Sequence, residues 1–159
     1  MADKNKIALI TGATSGFGVV IARHLVKQGY SLIVLGRSKD KLDSLVLDLK
    51  DVNSNCTVDP IMCNLSSFKS IQHACDEVQT KYAQIDLLIL NAGVWNFKFV
   101  ETEDHIEEPL QVNLLAPVLI FQRLSQLLPT DGNAKVIFTA SGLHQGVVNY
   151  SDIEFRKSF

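Results

Sequence analysis

The stretch Thr11-Gly-Ala-Thr-Ser-Gly-Phe-Gly18 is the part of the sequence that best indicates the fold. It follows a short apolar run, residues 7–10, and opens into an amphipathic segment, residues 19–26. A strand, a glycine-rich turn and a helix in this order form a phosphate-binding unit, because unpaired N–H groups and the positive end of the helix dipole face the anion. Glycine is needed where the backbone bends with positive φ or approaches a pyrophosphate closely. Taken alone, the turn is also compatible with a strand-to-helix connection that binds no ligand.

The composition indicates a single globular domain over residues 1–159. The chain has 159 residues, of which 47% are hydrophobic, enough to bury most of its apolar surface in one core. A net charge of −2 and scattered Lys and Arg residues argue against binding to nucleic acid or to an anionic membrane. The longest apolar run, residues 114–121, is far too short to span a bilayer.

The amino terminus and the cysteines predict a cytoplasmic protein. Residues 1–6 are polar and lead directly into the first predicted strand, so we expect neither a signal peptide nor an anchor. Cys56, Cys63 and Cys75 are odd in number and lack metal-ligand spacing. A reducing compartment and no metal site are therefore expected.

Predicted strands and helices alternate along the chain. The strands are expected at residues 6–11, 31–35, 57–62, 85–90 and 135–140. The helices are expected after the glycine turn as far as Gln28, after Ser38, from Ser66 or Ser67 through Tyr82, and over residues 102–128. This alternation predicts an α/β fold, a Rossmann-like doubly wound parallel sheet between two layers of helices. Pro60 fits the third strand only at a sheet edge, because proline cannot donate to the ladder.

The residue after the second predicted strand bears on cofactor choice, because a doubly wound sheet binds ligands outside the carboxyl ends of its strands. Gly36-Arg37-Ser38 stands where an acidic residue would hold the ribose 2′-hydroxyl of NAD. A guanidinium can instead clamp a 2′-phosphate in fork geometry, so Arg37 indicates NADP(H) in preference to NAD(H). Ser15 would add a hydroxyl donor to the same phosphate. The alternative for Arg37 is an ordinary solvated residue at a helix start.

Three polar positions follow or lie between the last two predicted strands. Asn91-Ala92-Gly93 follows the fourth strand, where small residues let a ribose or nicotinamide approach and an amide can tie strand ends together. Ser141 follows the fifth. Asn113 precedes Pro117 by four residues, so the proline frees the Asn113 carbonyl and kinks the helix. The carbonyl would then be a good water site, unless Pro117 merely bends a packing helix.

Together these motifs resemble the classical short-chain dehydrogenases/reductases. The resemblance rests on Thr11-Gly-x-x-x-Gly-x-Gly18, Asn91-Ala-Gly93, Asn113 in Val-Asn-Leu-Leu-Ala-Pro, and Ser141, and it covers essentially the whole chain. Residues 141–153 are similar to the retinol dehydrogenase and WW-domain oxidoreductase branch, where such a segment lengthens the route from the serine to the next catalytic residues. Gly36-Arg37 also suits the NADP-preferring members.

The resemblance implies a role for each matching position. The three turn glycines would hold the pyrophosphate, Asn91 would lie along the ribose, Ser141 would hydrogen-bond the substrate oxygen, and Asn113 would hold the water of a proton relay. Asn64 stands where the family has an aspartate that touches the adenine. The candidate catalytic residues are Ser141 and Asn113, and the candidate cofactor-binding residues are Gly12, Ser15, Gly16, Phe17, Gly18, Arg37, Asn64, Leu65, Asn91, Ala92 and Gly93.

One element of the family pattern is absent from these 159 residues. The family's general acid is a tyrosine whose pKa is lowered by a lysine four residues later and by the cofactor. Tyr30, Tyr82 and Tyr150 are followed at that spacing by valine, aspartate and glutamate, so none forms Tyr-x-x-x-Lys. The simplest account is that the chain is truncated before the tyrosine, the lysine and the last strands.

The expected function is that of an NADP-dependent oxidoreductase, catalytically incomplete as the chain stands. By the resemblance, its partner in the full-length enzyme would be a small apolar carbonyl or alcohol, and a homo-oligomer is a possible assembly. The alternative is a non-catalytic NADP-binding or protein-interaction module with the same fold. A doubly wound domain without a nucleotide is the third interpretation, since a fold by itself does not confer function.

Overall fold

The structure is a computed structural model that describes residues 6–142 and 148–157. Predictions about residues 1–5, and about residues 143–147 of the segment after Ser141, lie outside the described residues. The described strands are β1 (Ile7–Thr11), β2 (Ser31–Gly36), β3 (Val58–Met62), β4 (Leu87–Leu90) and β5 (Lys135–Phe138). The helices are α1 (Gly16–Lys27), α2 (Lys39–Val52), α3 (Phe68–Lys81), α4 (Glu108–Leu110), a π-helical turn (Gln111–Leu115), α5 (Ala116–Leu124) and a 3-10 turn (Ser125–Leu127).

The five strands form one parallel sheet in the order β3-β2-β1-β4-β5. Ile10 of β1 lies in register with Val34 of β2 and Ile89 of β4. The strand order therefore reverses at β1, which opens a crevice between the carboxyl ends of β1 and β4. The prediction of a doubly wound parallel sheet is confirmed, and β3, which carries Pro60, is an edge strand as expected.

Helices cover both faces of the sheet. On one face, buried leucines of α1 and α2, such as Leu25 and Leu42, pack against Ile10. On the other face, Ile71 of α3 and Ile120 of α5 are buried in a second cluster. Apolar residues on both sides of the strands exclude water from the sheet, which holds the strand ends in fixed positions.

Side chains and a glycine define where the helices begin and end. The hydroxyl oxygens of Ser38 and Ser67 accept hydrogen bonds from the N–H groups of Lys41 (3.4 Å) and Ser70 (3.3 Å), so Ser67 rather than Ser66 caps α3. Gly29, with a φ of 85°, follows the end of α1 as predicted.

The prediction of one helix over residues 102–128 places the start of the helix too early. Residues 102–107 form a tight turn in which the Thr102 N–H donates to the Ile106 carbonyl at 2.9 Å, and helical structure starts only at Glu108. The helix is irregular around Asn113, where a kink was expected. Ala116, which directly precedes Pro117, donates its N–H to the carbonyl of Gln111. This bond spans five residues and defines the π-helical turn.

Among the described helices, none combines the length and the apolar character needed to cross a lipid bilayer. Within the described residues β5 pairs only with β4, so its other edge carries no neighbouring strand. Ile137 and Phe138 of this strand are about half exposed, at 46% and 49%. This edge is the least covered part of the sheet.

Candidate functional site

A cleft of about 400 Å³ lies at the carboxyl ends of β1, β2 and β4. The predicted cofactor-binding residues, all except Gly16, line this cleft. The predicted residues that line it are Gly12, Ser15, Phe17, Gly18, Arg37, Asn64, Leu65, Asn91, Ala92 and Gly93. Gly16 is the first residue of α1, and neither it nor Asn113 nor Ser141 is among the lining residues.

The glycine turn brings the backbone close to the loop after β4. Gly12 has a φ of 72°, and a Cβ there would lie 2.7 Å from the Cα of Ala92. A Cβ on Gly18 would collide with the carbonyl oxygen of Gly12. Both positions therefore require glycine. At Gly12 the positive φ and the lack of space both exclude a side chain, and at Gly18 the lack of space does so alone.

The amino terminus of α1 faces the cleft without a protein group that neutralises it. Ser15 occupies the N-cap position, but its side chain makes no cap hydrogen bond, and the first turn contains no acidic residue. The N–H groups of this turn and the positive end of the helix dipole are thus arranged to receive an anion. The sequence predicts a pyrophosphate at this position.

Thr11 and Asn91 tie the strand ends together. The buried Thr11 Oγ1 accepts hydrogen bonds from the backbone N–H groups of Asn91 (3.0 Å) and Ala92 (3.1 Å). The side-chain amide of Asn91 donates to the Thr11 carbonyl at 3.3 Å and accepts from the Thr139 hydroxyl at 3.3 Å. Asn91 thus links β1, β4 and the residue after β5, and the expectation that an amide would join strand ends is confirmed.

The charged residues that line the described cleft are Arg37 and Lys41, both cations. The other three arginines form ion pairs, Arg23 with Asp48, Arg123 with Asp76, and Arg156 with both Glu101 and Glu154. Arg37 forms no ion pair with any described residue, so its guanidinium is available to a ligand. Lys41 was missed by the sequence analysis, although its place in the first turn of the helix after Arg37 was a usable signal.

The loop after β3 is held by its own polar side chains. Asn64 Oδ1 accepts from the Ser66 N–H at 3.1 Å, and the Asn64 N–H donates to Ser70 Oγ at 2.9 Å. Glu108 accepts from Ser66 Oγ (3.1 Å) and from the amide of Asn96 (2.9 Å), which joins this loop to the one after β4. The side-chain oxygen of Asn64 therefore already accepts a hydrogen bond inside the loop.

Asn113 uses its side chain to hold the loop after β4. Its Oδ1 accepts from the Val94 N–H at 2.8 Å, and its Nδ2 donates to the Val94 carbonyl at 2.9 Å. Val94 lines the cleft, so the π-helical turn that carries Asn113 fixes one wall of it. The relay water expected at the Asn113 carbonyl stays a prediction.

A buried polar network supports the start of the π-helical turn. Gln111 is fully buried; its side chain accepts from the Thr102 hydroxyl at 2.5 Å and donates to Asp104 at 2.6 Å. Asp104 also accepts from the Phe68 N–H at 2.7 Å, at the beginning of α3. Because these partners replace the water that Gln111 has lost, the network joins the 102–107 turn, α3 and the π-helical turn.

The remaining candidates do not form an acid–base centre in the described residues. Ser141 lies on the surface beyond β5, and Tyr150 is 87% exposed. Cys63 lines the cleft, and burial raises the pKa of its thiol to about 12, so the thiol is neutral near pH 7. Neither a disulfide nor a cluster of potential metal ligands occurs within residues 6–142 and 148–157.

Comparisons with known proteins agree on one family. Human polyprenol dehydrogenase is 29% identical over 155 residues, covering 94% of this chain and 47% of that protein. Human retinol dehydrogenase 14 is 27% identical over 169 residues, covering 97% and 50%. The solved structure of an alcohol dehydrogenase from the archaeon Thermococcus sibiricus, complexed with 5-hydroxy-NADP, matches with a TM-score of 0.68 and 28% identity, over 78% of this chain and 53% of that one.

The chain spans about half the length of the curated relatives it matches. A retinol dehydrogenase is among these relatives, in agreement with the predicted branch. The sequence model of the short chain dehydrogenase family matches residues 6–151, which include the glycine turn and all the candidate site residues. The chain therefore belongs to the short-chain dehydrogenase family.

Proposed function

We propose that this chain binds NADP(H) in the cleft and forms the cofactor-binding part of an oxidoreductase that interconverts a carbonyl and an alcohol. The observation that carries the proposal is the lining of the cleft, where a glycine turn and an uncapped helix terminus meet two cations and no described acidic residue. An NAD site would instead place a carboxylate near the ribose 2′-hydroxyl.

The residues present fit a dinucleotide. Gly12 and Gly18 leave no room for a Cβ because the backbone packs against itself there, which lets α1 begin close to β1 with its amino terminus towards the cleft. The α1 amino terminus would bind the pyrophosphate, and Arg37 would bind the 2′-phosphate. The Thermococcus sibiricus relative, crystallised with 5-hydroxy-NADP, supports a nicotinamide cofactor of the phosphorylated type.

When bound, the cofactor would supply the hydride chemistry, and the protein would supply binding and orientation. Asn91, which Thr11 and Thr139 hold in place, would position a ribose of the cofactor at the carboxyl ends of the strands. Asn113 would keep the wall formed by Val94 in place. Ser141 would donate a hydrogen bond to the substrate oxygen, and the substrate would be a small apolar carbonyl or alcohol.

A second candidate function is nucleotide binding without turnover. The observation that favours it is the absence of Tyr-x-x-x-Lys from the 159 residues, together with the surface position of Tyr150. Both candidates share the NADP(H) site, and they differ only in whether this chain by itself transfers hydride.

The test of the shared site is a titration with NADPH and with NADH. Trp95, the only tryptophan, follows the cleft residue Val94 directly and is 73% exposed, so its fluorescence should report binding. We expect NADPH to bind at least about tenfold more tightly than NADH, because a charge-assisted contact to the 2′-phosphate adds about 1.4 kcal/mol or more.

The matched variant is Arg37→Asp, which should remove the preference for NADPH or reverse it. Arg23→Asp, at an arginine outside the cleft, serves as the control for the change in net charge. Equal affinity of the wild type for both nucleotides, or an unchanged preference in Arg37→Asp, would contradict the assignment of Arg37.

A further inference from the structure

Residues 148–157 fold on themselves through short-range hydrogen bonds. The Asp152 N–H donates to the Asn149 carbonyl at 3.1 Å, and the Phe155 N–H donates to the Asp152 carbonyl at 3.0 Å. The Asp152 carboxylate accepts from the Lys157 N–H at 3.1 Å. Because these bonds fix the backbone locally, the segment can move as one unit, which we call the strap.

Arg156 joins the strap to the turn that precedes α4. Its guanidinium donates to Glu101 at 2.7 Å and to the carbonyl of His105, residues that are 55 and 51 positions away along the chain. The guanidinium carbon lies 5.5 Å from the centroid of the Phe99 ring. The same side chain donates to Glu154, inside the strap, at 2.8 Å. Charge-assisted bonds and a cation–π contact from one arginine thus connect two distant segments.

The backbone is strained on both sides of this contact. Among the residues that the structure describes, those other than glycine with positive φ are His105, at 59°, and Phe155, at 53°. His105 supplies the carbonyl that Arg156 binds, and Phe155 directly precedes Arg156. A residue with a side chain pays free energy to adopt this conformation. The contacts of Arg156 therefore offset strain in both segments.

The strap lies at the carboxyl-end edge of the sheet. It follows Ser141, just beyond β5, and it docks on the turn beyond the loop after β4. That turn is itself fixed, since Asp104 accepts from the Phe68 N–H at the start of α3 at 2.7 Å. Ligands of doubly wound sheets bind at this edge. The docked strap is thus placed to restrict access from the side of β5.

We propose that the strap opens and closes as a unit and that Arg156 is its latch. Glu101 on the turn and Glu154 on the strap both bind the guanidinium, so without it two carboxylates would face each other and repel. Closure also holds Glu101 at the far end of the loop that begins beside the cleft residue Val94. The device goes beyond the proposed function, because it does not depend on which ligand the cleft binds.

The test is amide hydrogen exchange of the ligand-free 159-residue chain, measured by mass spectrometry on peptides that cover residues 95–107 and the strap. The wild type is compared with Arg156→Gln, Arg156→Lys, Glu101→Gln and the double variant Arg156→Gln/Glu101→Gln. Arg23→Gln is the matched control, because it removes another exposed arginine that pairs with a carboxylate, on α1 rather than on the strap.

We expect Arg156→Gln to raise the exchange rates of both segments about fivefold. Glu101→Gln should raise the rates of the strap as well, although the substitution lies on the turn. The double variant should exchange no faster than Arg156→Gln, because both substitutions remove the same contact. Arg156→Lys should restore part of the protection, since it keeps the charge without the fork. Arg23→Gln should leave both segments unchanged.

Three outcomes would overturn the inference. The first is unchanged exchange of the strap in Arg156→Gln. The second is faster exchange of the strap with no change in residues 95–107, which would confine Arg156 to a role inside the strap. The third is an equal rise in β1 and α1, or in Arg23→Gln, which would show a general loss of stability. None of these involves a nucleotide, so the proposed function would stand; a wild type that binds neither NADPH nor NADH would contradict that function and leave the strap.

Discussion

At the scale of single residues, Thr11 does more than end a strand. One buried hydroxyl oxygen accepts from two backbone N–H groups that are 80 and 81 positions away along the chain. These contacts hold the start of the Asn91-Ala92-Gly93 loop against the glycine turn. Both loops line the cleft, so these contacts fix part of its wall.

Replacing Thr11 with valine keeps the shape of the side chain and removes the acceptor. We expect Thr11→Val to lower the free energy of unfolding by about 1–3 kcal/mol, because two donors lose their protein partner. Urea unfolding followed by circular dichroism measures this change. The control is Thr130→Val at an exposed position outside the cleft, which should cost less than about 0.5 kcal/mol. An equal loss in both variants would show that the Thr11 hydroxyl has no special role.

A residue's place in the site could be predicted from the sequence where a motif specifies it. The glycines, Arg37 and Asn91 belong to recognisable patterns at strand ends, and most of these residues line the cleft. Lys41 and Thr139 belong to no such pattern. Their part in the site depends on which way a helix turn and a strand end face, and that is decided by packing.

At the scale of elements, the junction of β1 with α1 is the tightest part of the site. Gly18 lies in the first turn of α1, directly against the carbonyl of Gly12. The helix can begin this close to the strand only because neither residue has a side chain at the point of contact. The helix dipole is thereby aimed at the cleft.

A methyl group at position 18 should separate the two elements. We expect Gly18→Ala to lower the free energy of unfolding by about 2–3 kcal/mol, because the Cβ meets backbone that cannot move aside cheaply. It should also weaken NADPH binding. Thermal unfolding and titration measure the two effects. Gly142→Ala, where an added Cβ meets open space, should change stability by less than about 0.5 kcal/mol. A stable Gly18→Ala variant that binds NADPH normally would contradict the packing argument.

The helical region after β4 shows the limit of periodicity at this scale. The apolar pattern predicts one helix over residues 102–128, whereas Thr102, Asp104 and Gln111 form hydrogen bonds that hold residues 102–107 in a turn. A pattern of apolar residues does not reveal that a buried glutamine will find these partners. Pro117 signalled an irregularity, and the structure places a π-helical turn immediately before it.

At the scale of the whole molecule, the described chain contains a cleft suited to a dinucleotide and no Tyr-x-x-x-Lys pair. General acid–base catalysis contributes about 10²- to 10⁴-fold to a rate. We therefore expect the chain to bind NADPH but to reduce an apolar aldehyde at least about 100-fold more slowly than a full-length relative that carries Tyr-x-x-x-Lys, assayed in parallel. Loss of NADPH absorbance measures turnover. A rate within about tenfold of that relative would contradict the expectation and favour an acid outside the family pattern.

The sequence alone determined the parallel α/β fold, the family and most of the residues named here that line the cleft. These depend on local properties: hydrophobic periodicity, glycines where a Cβ has no room, and polar residues at strand ends. Only the tertiary structure decided that the Asn113 side chain hydrogen-bonds to Val94 and that the Gln111 side chain hydrogen-bonds to Asp104. It also decided that Lys41 lines the cleft with Arg37. Each of these depends on which way the side chains face once the helices have packed on the sheet, and the spacing of residues along the chain does not show that.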